Sequence, residues 1–396
     1  MPHLANINFN FLRKKPYLLL LTLGCIGAIA MYCSWGLLTY IKPWGLRLFF
    51  DSNDLNVYFR SSRWVVDQGI LYKDIFSEYP LLAGLIFGIV RYLAKILHPF
   101  SSEFDSFSWL WMSINWFIYL WIIYLVATRL SKPALWIWLA PAPLYFTLLR
   151  FDIYPALMTL LALFAIHREK YVIGAIWLGL SIALKGYALF CLPAYFVFIY
   201  YRKGFFHAIK IIAICLAPFI LSQLIVFAFA GIDGVKQPYL FHINRNTNNE
   251  STYDAIAYLL PFHLTKHLSN LDKWLQLSTA ILAAVFKPKS FDALVHAFLF
   301  AIVGFISFSI FHSPQYVLWI VAIACFSPSR WINLCAIAYS WVVFLYFPLT
   351  SDRHHHTTFY FKLIVILMTA VRLPMLYLSF RELQNKAKLK YRSIVK

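Results

Sequence analysis

The sequence predicts an all-α, polytopic transmembrane helical bundle with long non-cytoplasmic loops, and three observations carry that reading. Of 396 residues, 61% are hydrophobic and only 13% charged, about half the charged share of a soluble domain. The apolar residues gather in many stretches separated by short polar breaks, and a stretch whose backbone has no water to bond must be helical. The Lys and Arg residues sit in those short breaks and at the tail, the pattern of cytoplasmic loops. A single membrane domain over residues 1–396, with about 12 spans, is expected.

The net charge of +19 does not point to nucleic acid, because a nucleic-acid face clusters its cations on a solvated surface. All six cysteines (Cys25, Cys33, Cys191, Cys215, Cys325, Cys335) fall in apolar segments with no CxxC, and read as packing residues.

Taken in order, Arg13-Lys14-Lys15 precedes an apolar run from Tyr17 to Ile41 that is too long for a signal-peptide core, so it is expected as an uncleaved first span with the N-terminus inside. Residues 42–80 then form a first outer loop with an amphipathic helix. The next firm span, 109–127, ends at the basic break 128–132. Alternation therefore makes 81–97 a re-entrant or interfacial hairpin, of the kind protein can bury. Spans follow over 134–149, 154–166, 171–184, 187–201 and 207–230, leading to a second outer loop, 231–272. Five more spans alternate across Lys287-Pro288-Lys289, 311–316, Arg330 and 352–356, and a basic cytoplasmic tail runs over 381–396.

This topology places Asp51, Asp54, Glu78, Arg150, Asp152, Lys185, His242, Arg245, Glu250, His312, Gln315 and Asp352 at or near the outer face, where ionisable residues at membrane depth are functional candidates. An enzyme acting on a membrane-embedded substrate fits this pattern. So do a transporter or flippase vestibule and a scaffold subunit, although a transporter should show an internal repeat and none is evident.

Asp51 and Asp54, three residues apart beyond the first helix, are placed as a general base for a hydroxyl, as carboxylate ligands for a divalent cation, or, for Asp51, as a helix cap. Arg150 and Asp152 read as an ion pair at a helix junction or as acceptor-positioning groups. Gln315 and Tyr316 are polar groups at a helix start, with Pro314 equally a first-turn proline. The adjacent imidazoles His354-His355-His356 lack ligand spacing, so no metal site is expected there. No P-loop or dinucleotide fingerprint is present.

Four strings then resemble one family. Asp54-Leu55-Asn56-Val57-Tyr58, with Gly69-Ile70-Leu71-Tyr72 and Glu78-Tyr79-Pro80, resembles the first external loop of the GT-C glycosyltransferases of family 87, and more distantly that of the glycosylphosphatidylinositol mannosyltransferase I enzymes. Arg150-Phe151-Asp152-Ile153-Tyr154-Pro155 is similar to that family's helix break. His242-Ile243-Asn244-Arg245 with Glu250-Ser251, and Ser313-Pro314-Gln315-Tyr316-Val317-Leu318-Trp319, resemble its later motifs.

The resemblance implies a GT-C fold and transfer of a sugar, mannose by resemblance, from a polyprenyl-phosphate donor to a glycolipid or glycan acceptor. It further implies inversion and no required metal or other cofactor. A bacterial plasma membrane with an outward-facing site is the expected setting. Under that reading Asp54, with Asp51, serves as base. Arg245, Lys185 and His242 meet the donor phosphate, Arg as a fork and Lys as a point charge. Tyr58, Glu78, Arg150, Asp152, Glu250, Gln315 and Tyr316 position substrate.

Overall fold

A computed structural model of the chain describes residues 20–25, 27, 53–66, 69–98, 100, 102–245, 249–259, 271–350 and 359–392. Asp51, most of the first expected span, Asp352 and His354 to His356 lie outside these residues. The described part is helical with no sheet, its one β-type pairing being an isolated bridge between Leu71 and Ile75.

The helices are α1 (Asn53–Ser61), α2 (Leu81–Leu97), α3 (Glu103–Arg129), α4 (Lys132–Leu139), α5 (Pro141–Leu149), α6 (Ile153–His167), α7 (Tyr171–Leu184), α8 (Leu192–Lys203) and α9 (Phe205–Ile243). They continue as α10 (Thr252–Ala257), α11 (Asp272–Val285), α12 (Phe291–Ser307), α13 (Val317–Ala324), α14 (Arg330–Thr350) and α15 (Phe359–Arg392).

Among the described residues, three helices are long and apolar enough to cross a membrane: α3, α9 and the Phe359–Lys386 part of α15. A fourth span arises if α5 and α6, bent by 120° at their junction, count as one. The protein is an integral membrane protein on this helix content. The other apolar helices have 8 to 21 residues, and the shorter ones fall below the ~20 residues a bilayer core needs. Their sequences are apolar all round because they sit inside the bundle: of α13, every residue from Val317 to Ala324 is buried. By contrast α9 leaves Phe206, Leu221, Leu224 and Phe227 more than half exposed, the surface expected of a lipid-facing helix.

Two expectations are corrected here. Residues 81–97, expected as a hairpin, form the single unbroken helix α2, set up by Pro80 at its N-cap. The second outer loop was expected from residue 231, but the chain stays helical through Ile243. It turns at Gly231, whose φ of 68° belongs to a region only glycine enters freely, so the polar composition there marks a kinked helix. The tail beyond residue 381 continues α15 to Arg392.

The bundle has two chemically different ends. At one, the basic turns converge: Arg202 pairs with Glu169 at 3.1 Å and donates to the Lys289 carbonyl at 3.3 Å, His167 packs on Phe291, and Lys386 pairs with Asp292. The other end of α6 and α7, about 20 Å away for helices of this length, carries Asp152 and Lys185.

Candidate functional site

The site is built at three breaks in apolar helices. Between α5 and α6, Arg150 is extended (φ −114°, ψ 142°) and Asp152 opens the next helix, where Pro155 is tolerated in the first turn. After α7, Lys185 is again extended and Gly186 starts a 3₁₀ turn leading to α8, which has proline in its first turn. The third break is the 3₁₀ turn Pro314–Tyr316 that opens α13.

Arg150 and Asp152 do not pair with each other, as one reading of the sequence had it. Arg150, 3% exposed, forms a salt bridge with Asp54, whose side chain is 25% exposed. Asp152, fully buried, receives Lys185 Nζ on both oxygens at 2.8 and 3.0 Å and the Trp319 indole N–H at 2.7 Å. Arg150 and Asp152, two residues apart, thus pair with different elements. Low-dielectric surroundings make each pairing obligatory, because a buried charge without a partner is costly.

Tyr58 joins the two halves. Its hydroxyl donates to Asp54 at 3.4 Å and accepts the Phe151 backbone N–H at 3.1 Å. Its ring is fully buried, stacked on Phe87 with centroids 4.6 Å apart and edge-on to Tyr79 at 5.5 Å. Lys185 Nζ lies 5.7 Å from the Tyr79 ring centre, 5.8 Å from Tyr316 and 5.3 Å from Trp319. Trp319 itself is sandwiched, with Tyr187 at 4.3 Å and Tyr316 at 4.0 Å. The ammonium therefore sits in a carboxylate-floored aromatic cage, a setting in which cation–π attraction is significant.

Glu78 and the second loop close the same region. His242 Nε2 bonds the Glu78 carbonyl at 3.1 Å, and Arg245 lies over Phe311 at 3.9 Å and Phe241 at 5.2 Å. Burial raises the Glu78 carboxyl above its ordinary value; Arg245 opposes this, Asp54 adds to it and Lys185 opposes it. Those four charges thus share one field. Gln315 is buried and Tyr316 half-buried, the latter within the field of Asp152, Arg245 and Glu78.

Glu250 adds to the field at Tyr316 from a neighbouring cluster, where it is bonded to Tyr346 and burial pushes its carboxyl up to about 8. Of the site residues expected from sequence, Asp54, Tyr58, Glu78, Arg150, Asp152, Lys185, His242, Arg245 and Tyr316 come together. Gln315 is adjacent, Glu250 belongs to a neighbouring cluster, and Asp51 is outside the described residues.

That neighbouring cluster centres on Arg372, which no motif singled out. Although it lies in the apolar helix α15, it is fully buried. It bonds His312 Nδ1 at 3.1 Å and the Thr252 hydroxyl at 2.7 Å, while His312 Nε2 meets the Tyr339 hydroxyl at 3.3 Å. The signal available in the sequence was a single arginine within an apolar run, which at membrane depth is a functional candidate by itself. Trp319, Tyr79 and Tyr187 were also missed as site residues, though the first two lie within the quoted strings and Tyr187 is two residues after Lys185. Among the described residues no group of three or more His, Cys, Asp or Glu could hold a metal ion.

Comparison with known proteins bears on this arrangement. A family model described as Mannosyltransferase (PIG-M) matches residues 150–347, a stretch that includes Arg150, Asp152, Lys185, Arg245 and Tyr316 and begins beyond Asp54. GPI mannosyltransferase 1 of Candida albicans (strain SC5314 / ATCC MYA-2876) is 24% identical over 180 residues, 41% of this chain and 45% of the relative. The chain thus spans less than half the length of that curated relative. The relative is fungal, so the expected bacterial setting has no support. The family model covers half of the chain, and the chain belongs to the PIG-M mannosyltransferase family.

Proposed function

We propose that this protein is a membrane mannosyltransferase that moves a mannosyl group from a polyprenyl-phosphate donor to a hydroxyl of a glycolipid or glycan, at the end of the bundle opposite the basic turns. That end is the non-cytoplasmic one if the basic turns face the cytoplasm, and about 12 crossings, some by short buried helices, complete the topology. The single observation that carries the reading is the convergence of Asp54, Glu78, Lys185 and Arg245, from four separate segments, in a chain of this family.

In this reading the acceptor oxygen attacks the anomeric carbon while the bond from that carbon to the phosphate oxygen breaks. The electron pair leaves with the polyprenyl phosphate, and the hydroxyl proton passes to Asp54. The leaving group is already anionic and needs no proton. Its charge is met by preorganised cations, with Arg245 in the lead and His242 beside it, because two hydrogens of Lys185 are engaged by Asp152. Arg150 and Tyr58 orient the Asp54 carboxylate. In-line displacement inverts the sugar. No metal enters the scheme, since each acid in it is matched by a side-chain cation.

The test is transfer in membranes containing the expressed chain, with labelled polyprenyl-phosphate mannose and extracted glycolipid acceptors. Asp54→Asn should lower turnover by about 100-fold or more, and chelation by EDTA should leave the wild type unchanged. Wild-type membranes that transfer from no polyprenyl-phosphate sugar would overturn the activity. Unimpaired Asp54→Asn would remove the base.

A further inference from the structure

The basic end of the bundle holds a cavity of its own, of ≈ 430 Å³, lined by Glu169, Lys170, Tyr171, Val172, Ile173, Ile199, Lys203, His207 and Ile211. Its chemistry is divided. Lys170, Lys203 and His207 are exposed at the helix turns, while Ile199 and Ile211 are buried behind them and Val172 and Ile173 open outwards at 47% and 45% exposure.

The acid in the lining is already neutralised, since Glu169 accepts from Arg202 at 3.1 Å. Neither Lys170 nor Lys203 has an ion-pair partner among the described residues, and Lys203 Nζ rests 6.0 Å over the Tyr171 ring. Phe205 and Phe206 stand exposed next to the cavity, so the aliphatic side continues into the apolar outer surface of α9. The result is a cationic mouth above a hydrocarbon wall, where the helices α7, α8 and α9 end together.

We propose that this cavity binds an anionic phospholipid of the surrounding leaflet. The headgroup phosphate is held between Lys170 and Lys203 with His207 at the rim, and the glycerol and first acyl carbons lie on Val172, Ile173 and the edge of Ile211. Basic pockets between helix ends are the usual places where such headgroups bind, at about 1 kcal/mol for each cation near the surface. A soluble anion would use the lysines but gain nothing from the isoleucines, whereas a zwitterionic lipid would use the wall but not the two unpaired charges. The cavity lies at the far end of α7 from Lys185, so occupancy there does not touch the transfer site, and the proposal stands or falls independently of the mannosyltransferase reading.

The experiment is native mass spectrometry and thermal unfolding of the purified full chain, titrated with phosphatidylglycerol, phosphatidylcholine or inorganic phosphate. The wild type and Lys170→Gln/Lys203→Gln are compared. The wild type should retain phosphatidylglycerol selectively and unfold at a higher temperature with it. The variant should bind it about 30-fold more weakly, the factor that about 2 kcal/mol gives, and should match the wild type in phosphatidylcholine. Equal phosphatidylglycerol binding by the two proteins, or equal retention of phosphatidylcholine by the wild type, would overturn the proposal. So would the same thermal shift with inorganic phosphate. A variant that unfolds early in phosphatidylcholine is replaced by Lys203→Gln alone, which should keep about half of the effect on a logarithmic scale and refutes the proposal if it keeps all of it.

Discussion

Replacing Lys185 with methionine should destabilise the protein more than replacing its partner. Asp152 is fully buried, and Lys185 supplies the donors to both of its oxygens. Lys185→Met would leave a buried carboxylate with the Trp319 indole as its remaining side-chain donor. Breaking a buried pair from one side costs about 3–5 kcal/mol, which at roughly 2 °C per kcal/mol for a large chain lowers the melting temperature by about 6–10 °C.

Asp152→Asn keeps the shape and the indole bond. It leaves Lys185, 15% exposed, among three rings and near water, for a loss of about 1–3 kcal/mol. The double variant buries no unmatched charge, so it should be more stable than the sum of the single losses by over about 1 kcal/mol. The assay is thermal unfolding of the detergent-purified chain followed by intrinsic tryptophan fluorescence. Additive single losses, or a Lys185→Met protein as stable as the wild type, would refute the claim that this pair is closed and buried.

Tyr58→Phe removes the bonds to Asp54 and to the Phe151 amide but keeps the stack on Phe87. It should cost about 1–3 kcal/mol of stability and lower turnover more than donor affinity, as steady-state kinetics in membranes would show. Glu250, with its carboxyl raised to about 8 by burial, favours its neutral form in the fold. That stabilisation is complete below the ordinary carboxylate range and is lost as pH rises through about 8, at up to about 1.4 kcal/mol per pH unit. Melting temperatures between pH 6 and 9 should therefore fall in the wild type, and fall less in Glu250→Gln. Arg372→Met leaves the His312 ring and the Thr252 hydroxyl without their buried donor and should cost about 1–3 kcal/mol. Arg372→Lys, which keeps the charge without the fork, should recover part of the folded yield in size-exclusion chromatography but not all of it.

Much of the site's location was legible because charge inside an apolar run is conspicuous. Arg150, Asp152 and Lys185 each interrupt a hydrophobic stretch, and the structure breaks a helix at each of these places. Asp54 and Glu78 followed from their place in a polar segment beyond the first apolar run.

Pairing was not legible. Whether Arg150 meets Asp152, two residues away, or Asp54, nearly a hundred residues away, depends on how α1 packs against the break. No local periodicity encodes that. For the same reason Lys185 read as a point charge for the donor phosphate although Asp152 lies beneath it. The polar residues after Gly231 suggested a loop because composition alone does not separate a solvated helix from a coil. Gln237, whose amide takes the Ser77 N–H at 3.1 Å and reaches the Tyr72 carbonyl at 3.3 Å, is polar because it clasps the first loop. Arg372 escaped notice since its partners, His312 and Thr252, are 60 and 120 residues away. The family placement also moved: the strings pointed first to family 87, whereas the family matched is the one they placed at greater distance.

The three residues at the junction of α5 and α6 have a consequence for how the two halves of the chain depend on each other. The family match begins at Arg150, and the salt bridge from that residue holds Asp54, which lies outside it. The segment that carries Asp54 therefore takes its orientation from the first residue of the matched one. A chimera that carries residues 150–347 from a relative inherits the geometry of its own Asp54 from the donor sequence, and fails at that joint first if the donor's arginine is displaced by one position.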